Sequence, residues 1–204
     1  MKKLSLLLFF LILTSIVYAK DLVYIPTAVS TDGVSASFDY DCKDKNHIFN
    51  LVGGYNGFEV SFTNYNNEFD ADKFMPQSKS LVSGQWQIIP ELGPVPAVAV
   101  GVKDLCSKLN KTPAFYAVAT KDISDYITWD LLEKLSLTAG VSHQSLGIFG
   151  GVDAQVGIFY GTFEAYKKDC NVSCGVTFLD DMIRVGYKRF NKNNYIGAKV
   201  SVTF

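Results

Sequence analysis

The chain has 204 residues, 48% of them hydrophobic and 19% charged, with 19 basic and 20 acidic side chains for a net charge of −1. That length suits one domain, and no Pro/Ser-rich or long polar stretch offers a place to divide it. A near-neutral chain without a basic run excludes an electrostatic nucleic-acid partner. After the N-terminal segment no run approaches the roughly 18 apolar residues of a spanning helix, so a membrane location would require a closed β-barrel.

Lys2 and Lys3, an apolar run over 4–17 and the small-x-Ala pattern Val17-Tyr18-Ala19 predict a cleavable signal peptide over residues 1–19. Its removal takes away two basic residues and no acidic ones, leaving 17 against 20 on a mature domain spanning 20–204. Strand signals then recur. Val34, Ala36, Phe38 and Tyr40 alternate with Ser35, Ser37, Asp39 and Asp41, the period of a strand with two different surroundings. A weaker strand over 47–55 meets Phe58, Val60 and Phe62 across Asn56-Gly57, a pair that tolerates the positive φ of a hairpin turn.

After a polar loop over 64–79, Val82, Gly84, Trp86 and Ile88 oppose Ser83, Gln85 and Gln87, and Val98, Val100 and Val102 oppose Ala99, Gly101 and Lys103. Further strands are predicted over 114–121, 135–143, 147–153, 156–166, 171–178, 182–188 and 195–204. That makes twelve. The Gly-rich run 147–161 has no clean period, and the turn there is placed at Ala154-Gln155. The long stretch 122–134, with Trp129, Leu131 and Leu132, reads as an interfacial helical turn or as a sign of a different strand count.

Alternation alone does not separate a sandwich from a barrel. The polar rows do, because they carry mostly Ser, Thr, Gly, Ala and Gln with scattered charges of both signs, which suits a confined interior better than bulk water. The apolar rows carry no charge, as a lipid-facing surface requires, since Arg or Lys at mid-depth costs roughly 2–4 kcal/mol. The expectation is therefore an all-β chain forming a single antiparallel transmembrane β-barrel of about twelve strands. Tyr40, Trp86, Tyr116 and Tyr187 are expected in an aromatic girdle.

In the final strand Val200, Val202 and Phe204 share the apolar face, and such a strand ending in Phe resembles the signal read by the barrel assembly machinery of the bacterial outer membrane. Asp39, Glu59 and Glu164 against Lys103, Arg184, Lys188 and Lys199 are the candidate lumen-lining charges. They would either line a conduit, as charged rings set what a pore passes, or form a sealed network of paired charges. Cys42, Cys106 and Cys170 fall in connections on the outer side and could supply a disulfide, while Cys174 reads as a small apolar filler. The cysteine spacing, with only His47 and His143 beside it, fits no zinc site, and no cofactor motif is present. His143-Gln144-Ser145 does not make a catalytic pair, because adjacent strand residues point to opposite faces. No catalytic residue is assigned.

Four blocks carry a resemblance. Tyr24-Ile25-Pro26-Thr27-Ala28, the segment 96–105 (Pro-Ala-Val-Ala-Val-Gly-Val-Lys-Asp-Leu), the segment 115–121 (Phe-Tyr-Ala-Val-Ala-Thr-Lys) and the segment 147–153 (Gly-Ile-Phe-Gly-Gly-Val-Asp) resemble, in order, the blocks of the YjbH-like outer-membrane barrel family. The resemblance implies an outer-membrane location and a role in exopolysaccharide production or export with other envelope components. This chain holds a single barrel's worth of sequence, and no catalytic residues follow from the resemblance. Two alternatives remain: a small passive porin-like channel for solutes, and a secreted soluble β-sandwich that binds a ligand.

Overall fold

The computed structural model describes residues 26–30, 32–41, 43, 46–66, 80–107, 113–143, 147–167, 169–190 and 193–204. The expected signal peptide and Cys42 lie outside these residues. Twelve antiparallel strands follow one another: β1 Gly33–Asp41, β2 His47–Tyr55, β3 Phe58–Asn66, β4 Ser80–Ile89, β5 Ala97–Lys103, β6 Ala114–Asp122, β7 Leu132–Ser142, β8 Gly147–Val156, β9 Phe159–Tyr166, β10 Asp169–Phe178, β11 Ile183–Phe190 and β12 Asn193–Thr203. Each pairs with its sequence neighbours, and β12 returns to β1 to close the barrel. The closing seam runs from Gly33 opposite Thr203 to Asp41 opposite Tyr195, the full length of β1. A sheet that pairs its first and last strands has no free edge, so the two-sheet sandwich is excluded.

The alternation read in the sequence becomes an inside and an outside. Val34, Val60, Val100, Phe163 and Ile196 face outward and are exposed, whereas Ser35, Glu59, Gln85, Thr138 and Glu164 face inward and are buried. This inverts the usual arrangement of a soluble domain, in which large apolar side chains are the buried class. The outward charges Lys121 and Arg189 each sit one residue from the end of their strand.

The end at which the chain enters β1 and leaves β12 is here called the near end. Its connections are 56–57, 90–96, 123–131, 157–158 and 179–182. The exposed aromatics Tyr55, Phe58, Trp86, Tyr126, Trp129, Phe159, Phe178 and Phe204 ring it. Phe58 and Trp86 lie directly opposite each other on β3 and β4, with their rings stacked 5.5 Å apart. Tyr40, Phe115 and Tyr187 form a sparser outward set towards the far end. A belt of amphipathic rings at each boundary is the pattern of a barrel in lipid.

Several expectations change in detail. Tyr116 is not part of the outward girdle: it points inward, is buried and donates its hydroxyl to Gln85 Oε1 at 2.9 Å. Its neighbour Phe115 takes the outward place, because the register sets Phe115 opposite Val102 on the outward row of β5 and Tyr116 opposite the inward Gly101. The β8–β9 turn is Gly157-Ile158, with Gly157 at φ +53°, and not Ala154-Gln155, which belong to β8. Glycine adopts that left-handed conformation without a Cβ penalty, and the position of the turn resets the register of the Gly-rich run. The stretch 122–134 holds a 3₁₀ turn at Ser124–Tyr126, and β7 begins earlier than expected, at Leu132. The β7–β8 register shifts between Leu132 and Lys134, and such bulges often occur at barrel rims.

Candidate functional site

The lumen is the candidate site, and it is built in layers. At the far end Tyr65, Leu81, Phe190 and Tyr195 pack together across it, with Ile48 against them. They come from β3, β4, β11 and β12, each near its far end, so the ring of strands converges there on aromatic side chains. Beside them Asn171 donates to Glu164 Oε2 at 3.1 Å and to Tyr166 Oη at 3.4 Å, which gives the fully buried Glu164 a neutral partner. A buried carboxylate is tolerated when hydrogen bonds of this kind replace its water.

The middle of the lumen holds ion pairs. Lys188 Nζ lies 2.7 Å from Asp39 Oδ1 and 2.8 Å from Oδ2. Lys134 Nζ lies 2.6 Å from Asp153 Oδ2. Arg184 reaches Asp181 at 3.3 Å, donates to Gln155 Oε1 at 3.1 Å, and lies over the Tyr160 ring at 5.1 Å. Gln155 in turn donates to Glu133 at 2.9 Å and Asp181 at 3.0 Å. Tyr160 owes its position to two glycines, since a Cβ at Gly175 would stand 2.8 Å from its ring and one at Gly186 would strike its hydroxyl. An aromatic ring laid over inward glycines fills the lumen while the strands stay closely paired.

The near end is stoppered by main chain. Residues 26–30, just before β1, turn into the barrel, and Ala28 is fully buried among the inward residues Ala97, Ala99, Tyr116, Val118, Phe149 and Tyr166. Its backbone N–H donates to Thr120 Oγ1 at 2.8 Å, and Thr120 shares a 2.9 Å hydrogen bond with Thr138. Ser30 donates to Gln87 Oε1 at 3.0 Å. Ala97 and Ala99 are the smallest side chains with a Cβ, and two of them in succession on the inward face of β5 leave the space that this segment occupies.

All seven charged residues singled out in the sequence, Asp39, Glu59, Lys103, Glu164, Arg184, Lys188 and Lys199, lie on the inward face of their strands. The structure brings Asp39 to Lys188, and it sets Arg184 directly opposite Lys199 in the β11–β12 ladder. Glu164 accepts from Asn171. Sequence reasoning missed Lys134 and Asp153, because Lys134 falls in a presumed connection and Asp153 in the run without a period. Counting back from a turn at Gly157 gives Asp153 and Gln155 their inward parity.

The expected disulfide is corrected: Cys106, Cys170 and Cys174 are free thiols, all exposed. Cys170 belongs to β10 and not to a connection, and its parity with Val172 and Cys174 turns it outward, away from any partner across the lumen. His143 sits in a turn, and Gln144 and Ser145 lie outside the described residues.

No protein-family model matches the chain, and no curated protein matches it. Among solved structures the chain is similar to variants of the porin of Rhodopseudomonas blastica. Two of these superpose with a TM-score of 0.37 and a third with 0.35, each at 10% sequence identity over 78% of this chain and 56% of the porin. The chain thus spans little more than half the length of those porins.

Proposed function

We propose that this protein is a non-enzymatic barrel of the bacterial outer membrane, of the channel-forming, porin-like type, with a narrow polar lumen that is stoppered at rest. The observation that carries the reading is the inverted side-chain distribution. Phe38, Val60, Phe163 and Ile196 are presented outward, while Asp39, Glu59, Glu164 and Arg184 are enclosed. Hydrocarbon removes the cost of the outward apolar surface, and the closed ladder satisfies the backbone. Outer-membrane lipid is then the immediate partner, and Val200, Val202 and Phe204 on the outward face of the closing strand would serve the assembly machinery.

Reconstitution into a planar bilayer tests this. Wild-type barrels are expected to give small, infrequent steps. The combination of Ala28→Glu with Tyr195→Ala, which loosens both ends of the lumen, should give larger and longer ones. Silence from both folded proteins would reject the channel.

A second reading has its own support. Tyr195, Glu164, Asn171 and Asp41 have under 2% of their surface exposed, so the far half of the lumen is filled. A sealed barrel of this kind suits envelope structure or exopolysaccharide export alongside other components, the role implied by the resemblance to the YjbH-like family. Loss of exported polysaccharide on deletion of the gene, with silent bilayers, would favour it.

A further inference from the structure

Arg184 and Lys199 occupy directly opposed positions of β11 and β12, and both point into the lumen. Like charges in directly opposed positions repel, which concentrates positive potential at this level of the lumen. Beside them is a cavity of about 30 Å³ lined by Tyr160, Ser173, Arg184, Lys188, Gly197, Ala198 and Lys199. Among these lining residues there are three cations and two hydroxyls, and no carboxylate. Asp39 engages Lys188, Asp181 engages Arg184, and Asp153 engages Lys134 and also acts electrostatically on Lys199.

The walls are also held in place. Tyr160 is fixed by Gly175 and Gly186, and Arg184 by Tyr160, Gln155 and Asp181. Ser173 is hydrogen-bonded to Thr162 at 2.6 Å. Donors held by such a surrounding shell lose little freedom when a ligand arrives. The volume has room for roughly two or three waters, or for one oxygen-bearing anionic group.

We infer that this cavity is an anion subsite of the lumen, taking a single oxyanion or carboxylate group between Arg184, Lys188 and Lys199, with the Ser173 and Tyr160 hydroxyls as further donors. The inference deepens the channel reading by naming its solute class, since rings of Lys and Arg select anions in pores. The binding itself requires no conduction. An anion there would lie between the two opposed cations and offset their repulsion through charge-assisted hydrogen bonds.

The test is a titration of the full barrel, folded in a neutral detergent, with sodium sulfate and separately with sodium acetate, against sodium chloride at matched ionic strength. Thermal unfolding is read by circular dichroism and binding by calorimetry. A saturable rise in Tm of about 5–10 °C is expected at a hundredfold excess over Kd. Saturation by sulfate alone identifies a tetrahedral oxyanion, and saturation by acetate as well identifies a carboxylate-tolerant site. Lys199→Gln should weaken the response at least tenfold, and Lys103→Gln, an inward cation that does not line the cavity, should leave it intact. If Lys199→Gln does not fold, Ser173→Ala supplies the comparison and should weaken binding about threefold to tenfold. Wild-type Tm and heats that follow ionic strength alone would overturn the site. Saturable binding by a barrel silent in bilayers would instead remove the channel and leave the site.

Discussion

Substituting Ala28 by Glu should expel residues 26–30 from the lumen without unravelling the barrel. What holds the segment is modest: the Ala28 amide to Thr120 and the Ser30 hydroxyl to Gln87, at about 1 kcal/mol each, plus burial of the Ala28 methyl and part of Val29 at about 0.8 kcal/mol per carbon. That attraction is opposed by the ordering entropy of the segment, so the cost that the substitution adds decides the outcome. A carboxylate without a partner at this buried position costs about 3–5 kcal/mol, and its added volume about 1–3 kcal/mol more. The cost exceeds what holds the segment, so release is the lower-energy outcome. Every strand ladder remains intact, because Ala28 precedes β1. Limited subtilisin digestion of the folded barrel reads the effect directly: the wild type should resist cleavage within 26–30, and the variant should be cut there while still showing heat-modifiable migration. A folded variant as protected as the wild type would refute the stopper.

Two further expectations bear on the outward face. Cys174 and Cys106 are both exposed thiols, but Cys174 lies mid-strand on the outside of β10 and Cys106 in the connection after β5. In lipid vesicles a water-soluble maleimide should label Cys106 and spare Cys174, and equal labelling of the two would argue against a hydrocarbon surround. Phe62→Lys, at an exposed outward position in the middle of β3, should destabilise the barrel in vesicles by roughly 2–4 kcal/mol, read as a shift in urea midpoint, whereas Ser61→Lys, facing the lumen, avoids this lipid term; a Phe62→Lys barrel as stable as wild type in lipid would contradict the membrane placement.

Much of the fold was legible because strand parity is a local property. Once Val34, Phe38 and Tyr40 fall on one side, Asp39 and Asp41 must fall on the other, and the same count places Lys199 and Arg184 inward. It failed where local chemistry did not reveal a boundary. Glycine at 147, 150, 151, 157 and 161 weakens any period, so the β8–β9 turn was placed three residues early and the Lys134–Asp153 pair went unseen. Tyr116 was misassigned because an aromatic residue near a strand end suits either a lipid boundary or a lumen filler. What decides is Gln85, two strands away along the same wall across Gly101 and 31 residues away in sequence. The stopper was not legible, since nothing about Pro26-Thr27-Ala28 in isolation says that the segment folds back onto the inward faces of β5 and β6.

Small and large inward side chains alternate around the barrel, and that alternation decides how much of its interior is space. Twelve strands enclose more room than the roughly eight that side chains fill unaided. Here the surplus is taken up by Tyr65, Tyr116, Phe149, Tyr160, Tyr166, Phe190 and Tyr195, by the main chain at Ala28, and by the paired charges between them. Tyr160 is laid across Gly175 and Gly186, and Tyr116 and Phe149 are laid across Gly101 and Gly140 in the same manner. Enlarging any of those glycines would displace a ring into the lumen, and shrinking any of those rings would open it. The conduit and the sealed reading therefore differ by only a few side chains on one scaffold, and at the cavity beside Arg184, Lys188 and Lys199 the filling is incomplete and the charged lining is cationic.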